Sequence, residues 1–194
     1  MRKCSSYRSS ISVSDQLEIL KKTCVALSDL GIPYMITGSI AASMYSEPRM
    51  TRDIDFVIEL KGTDVSAMVD RFRSEFYVDE KMIKDAIQHE SMFNLIHQAT
   101  MQKLDFVIRK ETEYRKVEFD RRRTESFGGI PVQVVSAEDL VLSKLLWSNA
   151  TDSEFQLRDV KNVLRAQKKL DANYLKKWSE TLGVSDLLKK ASQE

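Results

Sequence analysis

The chain has little of several things. Its 194 residues include only 6 Gly and 3 Pro, too few for a long disordered linker. Two cysteines, Cys4 and Cys24, cannot build a disulfide framework, and neither sits in a C-x-x-C pair. His89 and His97 are the two histidines, and neither has a second donor at metal-ligand spacing. No apolar run approaches the roughly 18 residues that a membrane helix needs. The basic, Ser-rich opening segment around Arg2, Lys3 and Arg8 has no apolar h-region, so it does not read as a secretory signal. These absences predict a cytoplasmic protein with no membrane segment. What is present is a globular balance, 42% hydrophobic and 30% charged, enough for one core with an appendage.

The net charge of +1 hides an uneven distribution. Residues 1–12 carry +3, residues 109–123 hold seven bases against four acids, and residues 160–194 hold eight bases against four acids. The rest of the chain is therefore acidic. An acidic centre beside basic segments suits a cation site near a polyanion, and solvated helix faces give the same count.

Periodicity organises the chain into an α/β (α+β) region and a helical one. Leu17, Leu20, Cys24 and Leu27 recur at helical spacing over about Asp15 to Leu30, with Ser14 as a cap and Gly31 as a stop. Tyr34 to Thr37 reads as a short strand, Ile40 to Tyr45 as a helix, and Asp53 to Leu60 as a second strand. Val65, Met68, Val69, Phe72 and Phe76 mark one helix face, and Lys81 to His89 a further helix. Met92 to His97, Leu104 to Ile108 and Ile130 to Val135 look extended, with Tyr114 to Arg123 helical between the last two. From Ser136, which with Asp139 resembles a capping box, the pattern is helical to the end. The expected division is a flexible N-terminus over 1–12, a core over 13–135 and a C-terminal helical region over 136–194 packed on it.

The chemistry concentrates in Arg52-Asp53-Ile54-Asp55-Phe56-Val57-Ile58. On a strand, Asp53 and Asp55 project to one face while Ile54, Phe56 and Ile58 go to the other. Two carboxylates so placed repel each other, and a divalent cation such as Mg²⁺ relieves that. Leu104-Asp105-Phe106-Val107-Ile108 repeats the arrangement, so a third carboxylate, Asp105, joins them if the two strands pair. Three such groups can hold two metal ions, one activating a hydroxyl and one clamping leaving phosphates. One D-x-D alone is equally a polar strand edge. The turn upstream changes the weighting: Gly38 permits close approach of a phosphate, and Ser39 stands at a helix start, fourteen residues before Asp53.

Gly38-Ser39, Arg49-x-Thr51-x-Asp53-Ile54-Asp55 and a later Asp105 on its own strand together resemble the DNA polymerase β-like nucleotidyltransferase superfamily. The resemblance implies a small mixed β-sheet core flanked by helices and a metal-dependent transfer of NMP from an NTP to an acceptor hydroxyl. It implies that Asp53, Asp55 and Asp105 are the metal and catalytic residues, with Asp105 acting on the acceptor hydroxyl and Mg²⁺ or Mn²⁺ as cofactor. It also implies that Gly38 and Ser39 contact the nucleotide phosphates. The tail, from Ser136-Ala137-Glu138-Asp139-Leu140 to Lys144 and then Arg158-Asp159, is similar to that of AbiE-type nucleotidyltransferase toxins. That similarity implies that Lys144 meets the triphosphate, that the acceptor is tRNA or another RNA, and that a cognate antitoxin is the partner. Two other readings stay open: a non-catalytic nucleotide-binding or partner-binding module, and a small-molecule, aminoglycoside-type nucleotidyltransferase.

The remaining candidates read as structural. Cys24 lies on an apolar helix face, His97 ends an apolar run, and Tyr174 and Trp178 at i and i+4 suit a core. Arg121, Arg122 and Arg123 read as a solvated face, and Arg158 with Asp159 as a helix-surface ion pair.

Overall fold

The computed structural model describes residues 13–49, 51, 53–151 and 153–193; the expected flexible N-terminus over 1–12, and Arg52, lie outside them. Helix α1 (Val13–Asp29) leads into β1 (Tyr34–Ile36), α2 (Gly38–Tyr45) and β2 (Asp53–Ile58). Then come α3 (Val65–Phe72), β3 (Phe76–Tyr77), α4 (Glu80–Gln88), β4 (Met92–His97) and β5 (Lys103–Ile108). Helix α5 (Glu113–Asp120) and the hairpin β6 (Arg123–Phe127) and β7 (Ile130–Val134) complete the sheet region. Four helices follow, α6 (Ala137–Thr151), α7 (Glu154–Ala166), α8 (Ala172–Thr181) and α9 (Ser185–Ser192).

The seven described strands form one mixed sheet in the order β3-β4-β5-β2-β1-β7-β6. Strand β2 runs parallel to β5 and antiparallel to β1, and β1 runs parallel to β7. Period-2 alternation sorts β2 and β5 cleanly: Ile54, Phe56, Ile58, Leu104 and Phe106 are fully buried on one face. An aromatic ladder fixes the register there. Phe56 stacks on Phe106 at 5.1 Å between centroids, and Phe106 on Phe93 of β4 at 5.2 Å. Such pairs add about 0.5–1.5 kcal/mol each beyond their burial. A one-residue slip would turn the rings outward, so the ladder also dictates what stands on the opposite face.

Helices α6 and α7 pack against α2. The Tyr45 hydroxyl donates to the Val135 carbonyl at 2.7 Å, and the Gln167 amide to the Tyr45 carbonyl at 2.7 Å. Ser136 stands just before α6, accepting the Asp139 N–H at 3.2 Å. No helix of the described residues is long and apolar enough to cross a membrane.

Several local expectations give way. Helix α1 already includes Ser14, which therefore does not cap it. Phe76 leaves the α3 face for β3, where its ring meets Phe72 and His97 edge-on at 5.5 and 5.1 Å. Arg123 opens β6 instead of ending α5; this edge strand, Arg-Thr-Glu-Ser-Phe, carries no apolar alternation because it faces water. The arginine triplet is a solvated face only at Arg123. Arg121 donates to the fully buried Asp139 at 3.0 Å and lies 3.8 Å over the Tyr174 ring. Arg122 covers Phe119 at 4.3 Å. Tyr174 donates to Asp139 at 2.6 Å and Trp178 is buried, so this corner is packing, as the i, i+4 aromatics suggest.

Candidate active site

The polar face of the sheet is built by the register that the aromatic ladder sets. Asp55 pairs with Asp105, and Asp53 with Lys103, across the parallel strands, while Asn94 of β4 flanks Asp105 on the other side. Five polar side chains thus occupy neighbouring positions opposite the phenylalanines. Asp53 is exposed and Asp105 buried. Lys103 Nζ lies 2.8 Å from each oxygen of the Asp105 carboxylate, yet Oδ1 is buried with no hydrogen-bond partner.

The turn between β1 and α2 closes onto Asp55. Thr37 donates its N–H to the Asp55 carbonyl at 2.9 Å, and Gly38 then takes φ +62°, a conformation that side chains other than glycine rarely adopt. A Cβ at Gly38 would lie 2.0 Å from Asp55 Oδ2. The carboxylate therefore packs directly on the Gly38 backbone, and the Ser39 N–H hydrogen-bonds it. Burial pushes the Asp55 carboxyl above its ordinary value, and the charges of Asp105 and Asp53 push it further, against Lys144 and the Ser39 N–H. An N–H of the first turn of α2 thus serves the protein's own carboxylate.

Gly38→Ala is expected to cost about 1–3 kcal/mol through the left-handed backbone alone and to displace Asp55. Thermal denaturation should show the loss, whereas Gly62→Ala, which meets nothing within 4 Å and needs no positive φ, should be close to silent.

A second network approaches the same turn from α6 and α7. Lys144 is 4% exposed, and its Nζ donates to Asp159 Oδ2 at 2.8 Å and Gln156 Oε1 at 2.9 Å. Arg49 grips the same carboxylate with both prongs, Nε to Oδ1 at 3.0 Å and Nη2 to Oδ2 at 2.9 Å, and Nη2 also donates to Ser39 Oγ at 2.6 Å. Burial lowers the Lys144 ammonium below its ordinary value, with the positive charge of Arg49 adding to this and the Asp159 hydrogen bond opposing it. Burial raises Asp159, but the hydrogen bonds of Arg49 and Lys144 outweigh it and leave the carboxyl below its ordinary range.

Asp159 is therefore no helix-surface partner of Arg158; it is a buried hub joining Ser39, Arg49 and Lys144. Its neighbour Arg158 instead lies 5.3 Å over the exposed Phe155 ring. A cleft of about 230 Å³ runs along α2 beside this hub, lined by Ser43, Ser46, Glu47, Arg49, Arg158 and Asn162 among others. The sequence marked Ser39, Arg49, Lys144 and Asp159 separately. Nothing in the order of residues shows that Arg49 and Asp159, 110 positions apart, share a bond.

The donor chemistry fits a hard divalent ion: clustered carboxylate oxygens suit Mg²⁺ or Mn²⁺. Among the described residues, however, no three His, Cys, Asp or Glu side chains already meet as a metal-holding group. Asp105 is turned to Lys103.

No protein-family model and no curated protein sequence matches the chain. Solved structures do share its fold. An antigenic nucleotidyltransferase-like protein from Paracoccidioides brasiliensis superposes with TM-score 0.58 at 18% identity, covering 94% of each chain. ANT(2″)-Ia in complex with adenylyl-2″-tobramycin gives TM-score 0.59 at 13% identity over 87% of this chain and 97% of that one. The lincosamide antibiotic adenylyltransferase LnuA, lincomycin-bound, gives 0.54 at 13% over 81% and 99%. The chain thus has the mixed α/β nucleotidyltransferase fold. In particular, it shares that fold with two antibiotic-modifying enzymes along nearly their whole length.

Proposed function

We propose that the protein is a metal-dependent nucleotidyltransferase that moves an NMP from an NTP to an acceptor hydroxyl and releases pyrophosphate. The observation that carries the reading is the placement of Asp53, Asp55 and Asp105 on one sheet face, with Asp55 packed on Gly38 at the start of α2. Residues 13–135 form the catalytic core in this reading, and 136–194 supply Lys144 and the wall of the cleft.

The chemical roles in this reading fall to residues of the two networks. The triphosphate lies over Gly38-Ser39, where Lys144 and Arg49 neutralise its charge and Ser39 Oγ donates to a phosphate oxygen. Asp53, Asp55 and Asp105 would hold Mg²⁺ or Mn²⁺, which would supply charge neutralisation at the phosphates and acidify a bound hydroxyl. Asp105 Oδ1 receives the acceptor's proton as the acceptor oxygen bonds the α-phosphorus and the bond from that phosphorus to the bridging oxygen breaks. In this buried, low-dielectric setting a positive charge on Lys144 acts more strongly on the triphosphate than it would in water.

For the acceptor we propose RNA, a tRNA 3′ end in the AbiE-type reading, with a cognate antitoxin as partner and the cytoplasm as its place of action. The bases over residues 160–194, eight against four acids, support a polyanionic acceptor. A second reading, a small hydroxylated antibiotic as acceptor, is favoured by the shared fold with ANT(2″)-Ia and LnuA. Transfer of α-labelled ATP, CTP, GTP and UTP into separate tRNA, protein and small-molecule pools decides between them. Label in tRNA supports the first reading and label in an aminoglycoside or lincosamide the second. Equal labelling by wild type and Asp53→Ala, or none anywhere, removes the transferase.

A further inference from the structure

Lys103 is the one charged group on the polar face of β2 and β5 to which the proposed chemistry gives no role. It stands two residues before Asp105, on the same face, and beside Asp53 across the parallel strands. Its ammonium lies 2.8 Å from both Asp105 oxygens, while the lysine side chain remains 39% exposed and that of Asp105 only 10%. The Asp105 hydrogen bond raises the ammonium above its ordinary value despite partial burial, and the charges of Asp105, Asp53 and Asp55 add to the rise. Lys103 therefore feels all three carboxylates.

We propose that Lys103 is the site's built-in counter-ion, its ammonium holding Asp105 in the place a divalent cation takes, so that the site loads only when Lys103 swings out to solvent. The inference rests on the metal-dependent reading above. One ammonium is a partial remedy, because it brings a single charge to three carboxylates. A divalent ion brings two charges and accepts several oxygens at once. The lysine side chain is 39% exposed and so borders the solvent into which it swings. It also explains why the carboxylates share a face without already meeting as a metal-holding group. Lys103 thus offsets the mutual repulsion of the carboxylates and sets the metal concentration at which the site loads.

Calorimetric titration of Mn²⁺ into the nucleotide-free full-length protein tests this without reference to activity. Lys103→Met is expected to bind Mn²⁺ on the order of tenfold more tightly than wild type, the usual scale of coupling between competing contacts. Lys103→Gln should follow it, and Lys103→Arg, which keeps the charge, should return towards wild type. Asp105→Asn should weaken binding and abolish the gain from Lys103→Met. A merely structural lysine predicts the opposite, weaker binding when it is removed. Wild-type binding with unchanged or weaker affinity in both Lys103→Met and Lys103→Gln overturns this inference alone. Absence of Mn²⁺ binding in every protein overturns it together with the metal-dependent reading.

Discussion

Asp55→Asn is expected to abolish nucleotidyl transfer while raising the Tm of the metal-free protein. The carboxylate belongs to the set that would hold the metal, whose electrostatic contribution is several kcal/mol; losing it lowers the rate by about 10³-fold or more. The stability effect has the other sign. Burial and the charges of Asp105 and Asp53 raise the Asp55 carboxyl in the folded protein, so the ionised form is disfavoured there relative to the unfolded chain. A raised folded value means that folding costs free energy at neutral pH, and the cost disappears as pH falls through that value. Asparagine keeps the shape and an acceptor for the Ser39 N–H but carries no charge. In a chain of this size each kcal/mol regained moves Tm by about 2–4 °C. Thermal melts at neutral and acid pH check this: the variant should lead at neutral pH, and the lead should close on acidification. A variant that is both active and less stable would make Asp55 a structural residue.

Asp159→Ala should produce the largest loss of stability. Its carboxylate, 3% exposed, accepts from Arg49 twice and from Lys144 once. Removing it strands the Lys144 ammonium, 4% exposed, with Gln156 as its remaining hydrogen-bond partner among those described. Breaking a buried pair from one side costs about 3–5 kcal/mol, which corresponds to a fall in Tm on the order of 10 °C. Asp159 is held below its ordinary range in the fold. The stabilisation is therefore complete above that ordinary range and is lost as pH falls through it towards the folded value. The gap between wild type and variant should thus be widest at neutral pH and narrow in acid. A gap that does not change with pH would mean that packing, and not the charge, holds the hub together.

Much of this arrangement was legible in the sequence, for physical reasons that differ from residue to residue. Asp53, Asp55 and Asp105 stood out because strand alternation is strict: the same period that buries Phe56 and Phe106 places the acids opposite. Gly38 stood out because a strand-to-helix turn with glycine lets a phosphate approach the backbone; that a carboxylate of the protein itself packs there was not legible. Lys144 was marked only by the resemblance of the tail. The roles of Asp159 and Lys103 were not legible. A buried Asp-Arg-Lys hub gathers residues from α2's exit, α6 and α7, and no local pattern encodes that meeting. Lys103 looks like any solvent-facing lysine at a strand start until its register neighbour is known. Arg121 misled for the related reason that three adjacent arginines point three ways, and only the fold shows that one of them reaches Asp139. Strand β6 was missed because an edge strand facing water lacks the alternation that reveals its partners.

Crystals grown with Mn²⁺ and a non-hydrolysable NTP would put the arrangement itself on view through anomalous scattering. The account predicts manganese bound to the carboxylates of Asp53, Asp55 and Asp105, Lys103 withdrawn from Asp105, and the triphosphate lying over Gly38-Ser39 within reach of Lys144. Manganese and nucleotide bound elsewhere, with Lys103 still on Asp105, would contradict it.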